Sequence, residues 1–317
     1  MVDELDRQLV QCLGVDGRAS FSQIAELLGV SDQTVARRYR RLRSAGLLRV
    51  VGLKARDKVG SLGWFLRLRC VPGSGPGIAD ALAKRPDTAW IQLLSGDTEV
   101  LCTLRGDARD DRNSLLAMLP RSARITAVTA YSLLHMYVGG PDALGFLEVL
   151  PRERLEPLRP PVRGGRVELG ELDMALFQAL GADGRTPYAD LASVTGWSES
   201  TVRRRMDQLR EVGVLYYDLE LDMAAFGFRS TTWLWMSVPP AQLAATGDAL
   251  ATIPEVAYAA ATTGPANLAV AAVCRDESEF YEFMTAKVGA LPGVERVETS
   301  PVIRTVKQAS PTVLPGR

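Results

Sequence analysis

The sequence predicts an α+β fold made of two copies of one unit, each a winged-type helix-turn-helix domain followed by a ferredoxin-like βαββαβ domain. Three observations carry this. Displacing the chain by 167 residues lays Leu5–Leu48 on Leu172–Leu215 without a gap, with 20 identities in 44 positions. Such self-similarity is the signature of a repeat. Within each copy the first fifty residues carry apolar positions at helical spacing, interrupted by a short glycine turn. The following hundred alternate between period-two runs and helical runs in the order βαββαβ.

The elements follow from local chemistry. Leu5, Leu9, Cys12 and Leu13 recur at helical spacing over Asp3–Leu13, and Gly14–Arg18 ends that run. Ser20 is placed to cap a second helix whose Phe21, Ile24, Ala25 and Leu28 point inward. Gly29-Val30 makes a tight turn, and Ser31 caps a third helix that runs to Gly46, a left-handed stop. Val35, Tyr39 and Leu42 form its apolar stripe. Leu47–Leu53 then reads as a strand leading out.

The βαββαβ half is expected at Leu62–Val71, Ile78–Lys84, Thr88–Ser95, Glu99–Arg105, Asp110–Leu119 and Arg124–Met136. The second copy repeats it at Thr231–Val238, Pro240–Ala251, Val256–Thr263, Asn267–Cys274, Ser278–Leu291 and Val294–Val306. Gly73–Gly77 lacks the lysine and spacing of a phosphate loop, and Pro76 suits a helix start, so it is a turn. Trp233 and Trp235 share a strand face and are assigned to packing at a sheet or dimer interface; His135, the single histidine, is assigned to a core or interface. The expected domains are 1–53, 54–150, 171–222 and 223–307. Residues 151–170, with four prolines and three glycines, form a linker without helix or central strand, and 308–317 a loose tail.

Composition limits the chemistry. Thirty-seven basic and 37 acidic side chains balance, so any nucleic-acid surface is local. The acidic N-terminus is unlike a signal peptide, and no apolar run is long enough to span a membrane. Cys12, Cys70, Cys102 and Cys274 are widely spaced, which points to buried thiols in a reducing cytoplasm and against disulfides or a zinc site. No metal, cofactor or catalytic constellation is expected.

The arrangement resembles the Lrp/AsnC family of prokaryotic transcription regulators. The residues that carry the resemblance are Leu5-Asp6, Asp16-Gly17-Arg18, Ile24-Ala25, Gly29-Val30-Ser31, Thr34-Val35, Arg38, Leu42 and Gly46-Leu47, with their counterparts 167 residues on. Arg85-Pro86 and Ser95-Gly96 follow the family pattern in the first RAM-like effector domain, and Leu291–Thr299 in the second. The resemblance implies double-stranded DNA as partner, an amino acid or similar small molecule as effector, and effector domains that pair. A fused chain then acts as its own pseudo-dimer, and homo-oligomers are expected. The family's acidic turn position falls on Glu99 in one copy and Asn267 in the other, so Gly96, Glu99, Gly264 and Asn267 are the candidate effector residues.

The groove-facing positions of the third helix are Gln33, Thr34, Arg37, Arg40 and Arg41. Gln33 and Thr34 sit at its N-terminus, where base edges are reached; Arg37 suits a bidentate guanine contact, and Arg40, Arg41 and Arg43 suit phosphates. The second copy offers Ser200, Thr201, Arg204, Asp207 and Gln208. Arg38 and Arg205 complete the candidate set, on the helix flank, where a carboxylate such as Asp6 or Asp173 is an alternative partner. Residues 5–53 carry a net +4 and residues 172–220 a net −3, which predicts a dominant first reader. Two other functions stay open. One is a sirohaem-decarboxylase-like tetrapyrrole enzyme of the same fold, which is expected to need histidine and arginine around the macrocycle. The other is an interaction protein without DNA binding.

Overall fold

A computed structural model describes residues 2–55, 63–104 and 122–310. The chain divides into two compact units, but not repeat by repeat: the two helix-turn-helix segments group together, and so do the two βαββαβ modules. The helix expected at 110–119 and the last residues of the tail lie outside the described residues.

The first unit begins with α1 (Glu4–Val15), α2 (Phe21–Leu28) and α3 (Asp32–Ser44). Asp3 and Ser20 each close a capping box, and Ser31 accepts the Thr34 amide at 3.2 Å. Gly29 takes φ +68° with nothing near a would-be Cβ, so backbone conformation alone calls for glycine in the turn. Strand β1 (Leu48–Lys54) follows. The second copy gives α6 (Glu171–Ala182), α7 (Tyr188–Thr195), α8 (Glu199–Glu211) and β6 (Leu215–Leu221), with Gly196 and Gly213 at φ +71° and +74°. Strands β1 and β6 pair antiparallel, Leu48 opposite Leu221 and Lys54 opposite Leu215. Each wing-like strand thus has its counterpart in the other copy as partner.

Residues 151–158 depart from the expected linker, and a helical segment precedes them. A 3₁₀ segment, Gly140–Leu147, packs on α1. One helical turn, α5 (Arg152–Leu155), and one 3₁₀ turn, Glu156–Leu158, bury Leu155 and Leu158. Their prolines do not prevent this: Pro151 is the N-cap residue and Pro157 a first-turn residue, positions where the missing N–H has no helical partner to lose. Gln308, Ala309 and Ser310 are buried too, and Ser310 donates its amide to Glu220. That part of the expected tail is packed, because its backbone has found a buried acceptor.

The second unit is a closed eight-stranded barrel. Its first module supplies β2 (Trp64–Cys70), α4 (Gly75–Ala83), β3 (Thr88–Leu94), β4 (Glu99–Leu104) and β5 (Ile125–Val138). The second supplies β7 (Ser230–Ser237), α9 (Leu243–Ala251), β8 (Val256–Thr262), β9 (Leu268–Cys274), α10 (Glu277–Glu282) and β10 (Arg296–Lys307). The last helix was expected unbroken over Ser278–Leu291; α10 instead passes into a π turn, Phe283–Lys287, and a 3₁₀ turn. Two ferredoxin-like sheets become one barrel because the final strand of each is long enough to serve both. Residues 125–132 of β5 pair with β2 and 133–138 with β8, while 296–301 of β10 pair with β7 and 302–307 with β3. Closure leaves no free sheet edge.

Cores lie on both sides of the barrel wall. Leu66, Leu68, Ile91 and Cys102 pack under α4, and Leu234, Val270 and Phe283 on the equivalent side of the second module. Inside, Phe65, Tyr131, Trp233, Trp235 and Leu101 interdigitate. The two tryptophans stack at 5.6 Å, so they do pack where the modules meet. His135 is exposed, with its ring edge-on to Tyr137 at 4.7 Å, which corrects its assignment to a core. All four cysteines are free and buried, and burial pushes the Cys12, Cys102 and Cys274 thiols up to about 12. No described helix is long and apolar enough to cross a membrane.

Candidate functional site

The outer face of α3 is built by what its inner face buries. Val35, Tyr39 and Leu42 are in the core, which turns Gln33, Arg37, Arg40 and Arg41 outward. Thr34 is half-buried, its hydroxyl 2.9 Å from that of Ser31. Among the described residues Arg37 has no ion pair or hydrogen bond, and Arg40 bonds its own helix at the Ala36 carbonyl, 3.2 Å. Both guanidinium groups are available to an incoming anion.

Arg38 is not on that face. Its Nη1 lies 2.7 Å from Asp3 and 2.8 Å from the fully buried Asp6, holding α1 against α3. Arg41 also reaches Asp6, from a half-exposed position. The Arg38 guanidinium holds the Asp3 carboxyl below the usual carboxylate range. The second copy repeats the device: Arg205 donates to Asp173 at 2.8 and 2.7 Å and to the Glu168 carbonyl. Burial alone would raise the Asp173 carboxyl, but Arg205 and the Gly170 amide bring it below the usual value. Arg38 and Arg205 are therefore withdrawn from the groove face, since each neutralises a carboxylate that helix packing takes out of water. Ser200 and Arg204 stay exposed beside Asp207, and Thr201 bonds Ser198.

A reciprocal set ties the two helix-turn-helix segments together. Arg18 donates to the Gly184 and Thr186 carbonyls (3.0 and 3.1 Å), and Arg185 to those of Gly17 and Ala19 (2.8 and 3.0 Å). Each guanidinium also lies over an aromatic ring, Arg18 on Tyr188 and Arg185 on Phe21. Arg43, expected at a phosphate, pairs with Asp183, and its counterpart Arg210 with Asp16. Sequence reasoning missed this set. Its signal was that Asp16-Gly17-Arg18 and Arg43 are identical in both copies although no helix requires them.

In the barrel, the β3–β4 turn places three consecutive residues, Ser95, Gly96 and Asp97, at positive φ. Glu99 opens β4 from a buried position. It pairs with Arg67 and accepts from Ser300 at 3.0 Å. Arg67 further donates to Glu298 and lies 4.9 Å over the Trp235 ring. These carboxylates raise the Arg67 guanidinium against the burial that opposes it, and Arg67 in turn lowers Glu298. A cavity of about 310 Å³ adjoins the cluster, lined by Arg67, Arg69, Ser95, Thr98, Glu99 and Glu298 among others. That volume is at the lower end for small-molecule sites.

The second module has no equivalent cluster. Ladder register places Asn267 where Glu99 stands: Leu93 faces Val100 and Ala261 faces Leu268, so the next residue toward the turn is Glu99 in one module and Asn267 in the other. The turns 95–98 and 263–266 are equally long, the second closed by the Thr262 amide donating to the Asn267 carbonyl at 2.9 Å. Asn267 spends its side chain on both backbone groups of Val238, at 3.0 and 2.7 Å. Gly264, at φ +103°, lies under Tyr131, whose ring would be 3.0 Å from an added Cβ. Gly96 faces open space. The effector candidates thus separate: Gly96 and Glu99 border the cavity's turn, whereas Gly264 and Asn267 are occupied by packing.

The AsnC-type helix-turn-helix domain matches residues 2–43 and again 169–210, and the Lrp/AsnC ligand binding domain matches 232–312. The HTH-type transcriptional regulator FL11 of Pyrococcus horikoshii is 30% identical over 146 residues, 46% of this chain and 96% of that protein. The HTH-type transcriptional regulator Ptr1 of Methanocaldococcus jannaschii is 24% identical over 143 residues, 45% and 97%. Each relative is the length of one repeat. Among solved structures, the siroheme decarboxylase NirDL superposes with a TM-score of 0.62 at 13% identity, covering 95% of this chain and 92% of that one. Its co-complex with an iron-uroporphyrin III analogue gives 0.63 at 12% identity, with 96% and 95% covered. At these identities the likeness is one of fold.

Proposed function

This chain belongs to the Lrp/AsnC family, and we propose that it is a sequence-specific, double-stranded-DNA-binding transcriptional regulator read mainly through α3. The observation that supports this most is the division of labour among its arginines. Arg38, Arg41, Arg43, Arg205 and Arg210 are paired with carboxylates, while Arg37 and Arg40 have no carboxylate partner among the described residues and share one exposed helix face with Gln33. Arg37 takes the base-reading role and Arg40 a phosphate. The second reader has Arg204 beside Asp207, so it contributes less and prefers a different half-site. The cavity beside Arg67 and Arg69 takes a small effector with an anionic group, an amino acid being the simplest such molecule, and the fused chain associates with further copies.

The test is fluorescence anisotropy with the protein's own promoter region. Arg37→Ala is expected to cost about 1–3 kcal/mol and to relax sequence preference, and Arg204→Ala less. Equal losses from both substitutions would refute the asymmetry, and no loss from either would refute the assignment of the reading helix.

A second reading, a tetrapyrrole-transforming enzyme, is favoured by the whole-chain superposition on NirDL. Against it, the barrel interior is filled by Phe65, Tyr131, Trp233 and Trp235, and the single histidine, His135, lies exposed on β5. Titrating the protein with an iron porphyrinoid and reading Soret absorbance separates the two: a saturable, stoichiometric shift supports the enzyme.

A further inference from the structure

Helices α1 and α6 are related by the 167-residue repeat, yet the Gln11 face of one is covered and, among the described residues, the matching face of the other is bare. On α1, Gln11 is buried and grips the chain that follows the first barrel module. Its Oε1 accepts from the Val149 and Leu150 amides at 3.1 and 2.8 Å, and its Nε2 donates to the Leu150 carbonyl at 2.9 Å. The same segment buries Leu147, Leu150, Leu155 and Leu158, and Arg154 donates to the Leu27 carbonyl at the end of α2, 2.7 Å. The residue equivalent to Gln11 is Gln178, and it is again glutamine. Gln178 is exposed and makes no hydrogen bond among the described residues. It sits in a stripe with Met174 and Ala182 at i−4 and i+4, both exposed. At the end of α7, Val194, equivalent to Leu27, is 56% exposed, and Met174 is 43% exposed.

We propose that the α6–α7 face is a docking groove for a leucine-bearing segment of a partner protein, bound as residues 147–158 are bound on α1–α2. The occupant's chemistry is read from the filled groove: apolar side chains spaced like Leu147, Leu150, Leu155 and Leu158, with one non-helical residue whose N–H and C=O both face the glutamine. A glutamine presents a donor and an acceptor side by side, which suits one backbone unit and leaves little to the sequence of the partner beyond its leucines. Water satisfies Gln178 in the open groove, so the glutamine costs nothing while empty. A lysine or aspartate would serve solubility equally well there, but neither could grip both groups.

The probe is a labelled synthetic peptide of residues 144–158, titrated into the full chain and read by fluorescence anisotropy. Saturable binding that Gln178→Ala weakens by about tenfold or more, and Met174→Asp abolishes, is expected, given two to three hydrogen bonds at the grip. Circular dichroism and DNA binding of both variants should match the parent, because the side chains are exposed. Absence of binding, or binding indifferent to Gln178, overturns the proposal. So does binding seen only after residues 311–317 are removed, which would make the chain's own C-terminal segment the occupant. Dimerisation that the peptide reverses would assign the groove to a second copy and likewise overturn it. None of these readouts depends on which ligand the barrel takes.

Discussion

Replacing Asp218 by asparagine should stabilise the paired helix-turn-helix unit at neutral pH and do little in acid. Asp218 lies on β6 opposite Val51, its own equivalent in the first repeat, so a carboxyl stands where the other copy has a methyl-bearing side chain. Burial pushes this carboxyl up from 3.8 to about 6; the Leu219 amide, donating at 2.8 Å, opposes the rise, and Glu220 two residues on adds to it. A folded-state value above the unfolded one means that folding favours the protonated form. The associated stability is fully present below pH 4 and is lost as pH rises through 6. The difference amounts to about 3 kcal/mol at pH 7.5 and about 1 kcal/mol at pH 4.5. Both are ceilings, since the residue is only partly shielded and water screens it. Asparagine keeps an oxygen for the Leu219 amide and carries no charge. Urea unfolding followed by circular dichroism should therefore show Asp218→Asn more stable than the parent at pH 7.5, with the gap closing toward pH 4.5. A gap that is constant with pH, or one that widens in acid, would refute the reasoning.

Three further outcomes are expected. Arg40→Ala should flatten the salt dependence of DNA affinity by about 0.9 in log–log slope, whereas Arg38→Ala should instead lower the unfolding midpoint, because it leaves Asp6 buried without one of its two arginines. Arg67→Ala strands Glu99 in the barrel and should cost about 3–5 kcal/mol in urea unfolding, while the double variant Arg67→Met, Glu99→Gln should recover most of it. Gly264→Ala should destabilise more than Gly96→Ala in thermal unfolding: both have positive φ, at a cost of about 1–2 kcal/mol, but only the former meets the Tyr131 ring.

The helix-turn-helix segments were legible almost residue by residue, because their signals are local. Ser20, Ser31, Gly29 and Gly46 act through bonds and dihedrals within a few positions of themselves, and each takes the role expected of it. The strands were legible for the same reason, to within two or three residues. What lay hidden was long-range. Leu-Arg-Leu-Arg over 66–69 reads as a strand with one wet face, yet Arg67 points into a closed barrel, and only the pairing of β5 with β8 and β10 with β3 creates that interior. Asn267 does stand at the Glu99 position, but the residue equivalent to Arg67 is Trp235, and the Asn267 side chain bonds the Val238 backbone; that loss of the charged partner depends on cross-strand neighbours. Among the groove candidates, Arg38 and Arg205 were set apart by their place on the helix flank near Asp6 and Asp173, whereas Arg41 and Arg43 were distinguishable from Arg37 and Arg40 only once their carboxylate partners were placed.

Fusion explains why the two halves differ without the unit coming apart. In a symmetric homodimer every substitution appears twice, once on each side of the axis, and a charge placed near the axis meets itself or its mate in both places. Joined in one chain, the two positions are free to become complementary. The β1–β6 ribbon shows the result. At one end Arg49 faces the buried Glu220, and at the equivalent end Leu53 faces Tyr216, so one site is ionic and its mate apolar. The contacts that hold the halves together have not diverged: Arg18 and Arg185, and Arg43 and Arg210, keep matching partners in both copies. Divergence has fallen on surfaces that face outward, where Arg40 and Arg41 correspond to Asp207 and Gln208, and where the Gln11 face of α1 is covered while, among the described residues, the matching face of α6 is bare. An assembly constrained to symmetry could hold neither difference; a fused one holds both.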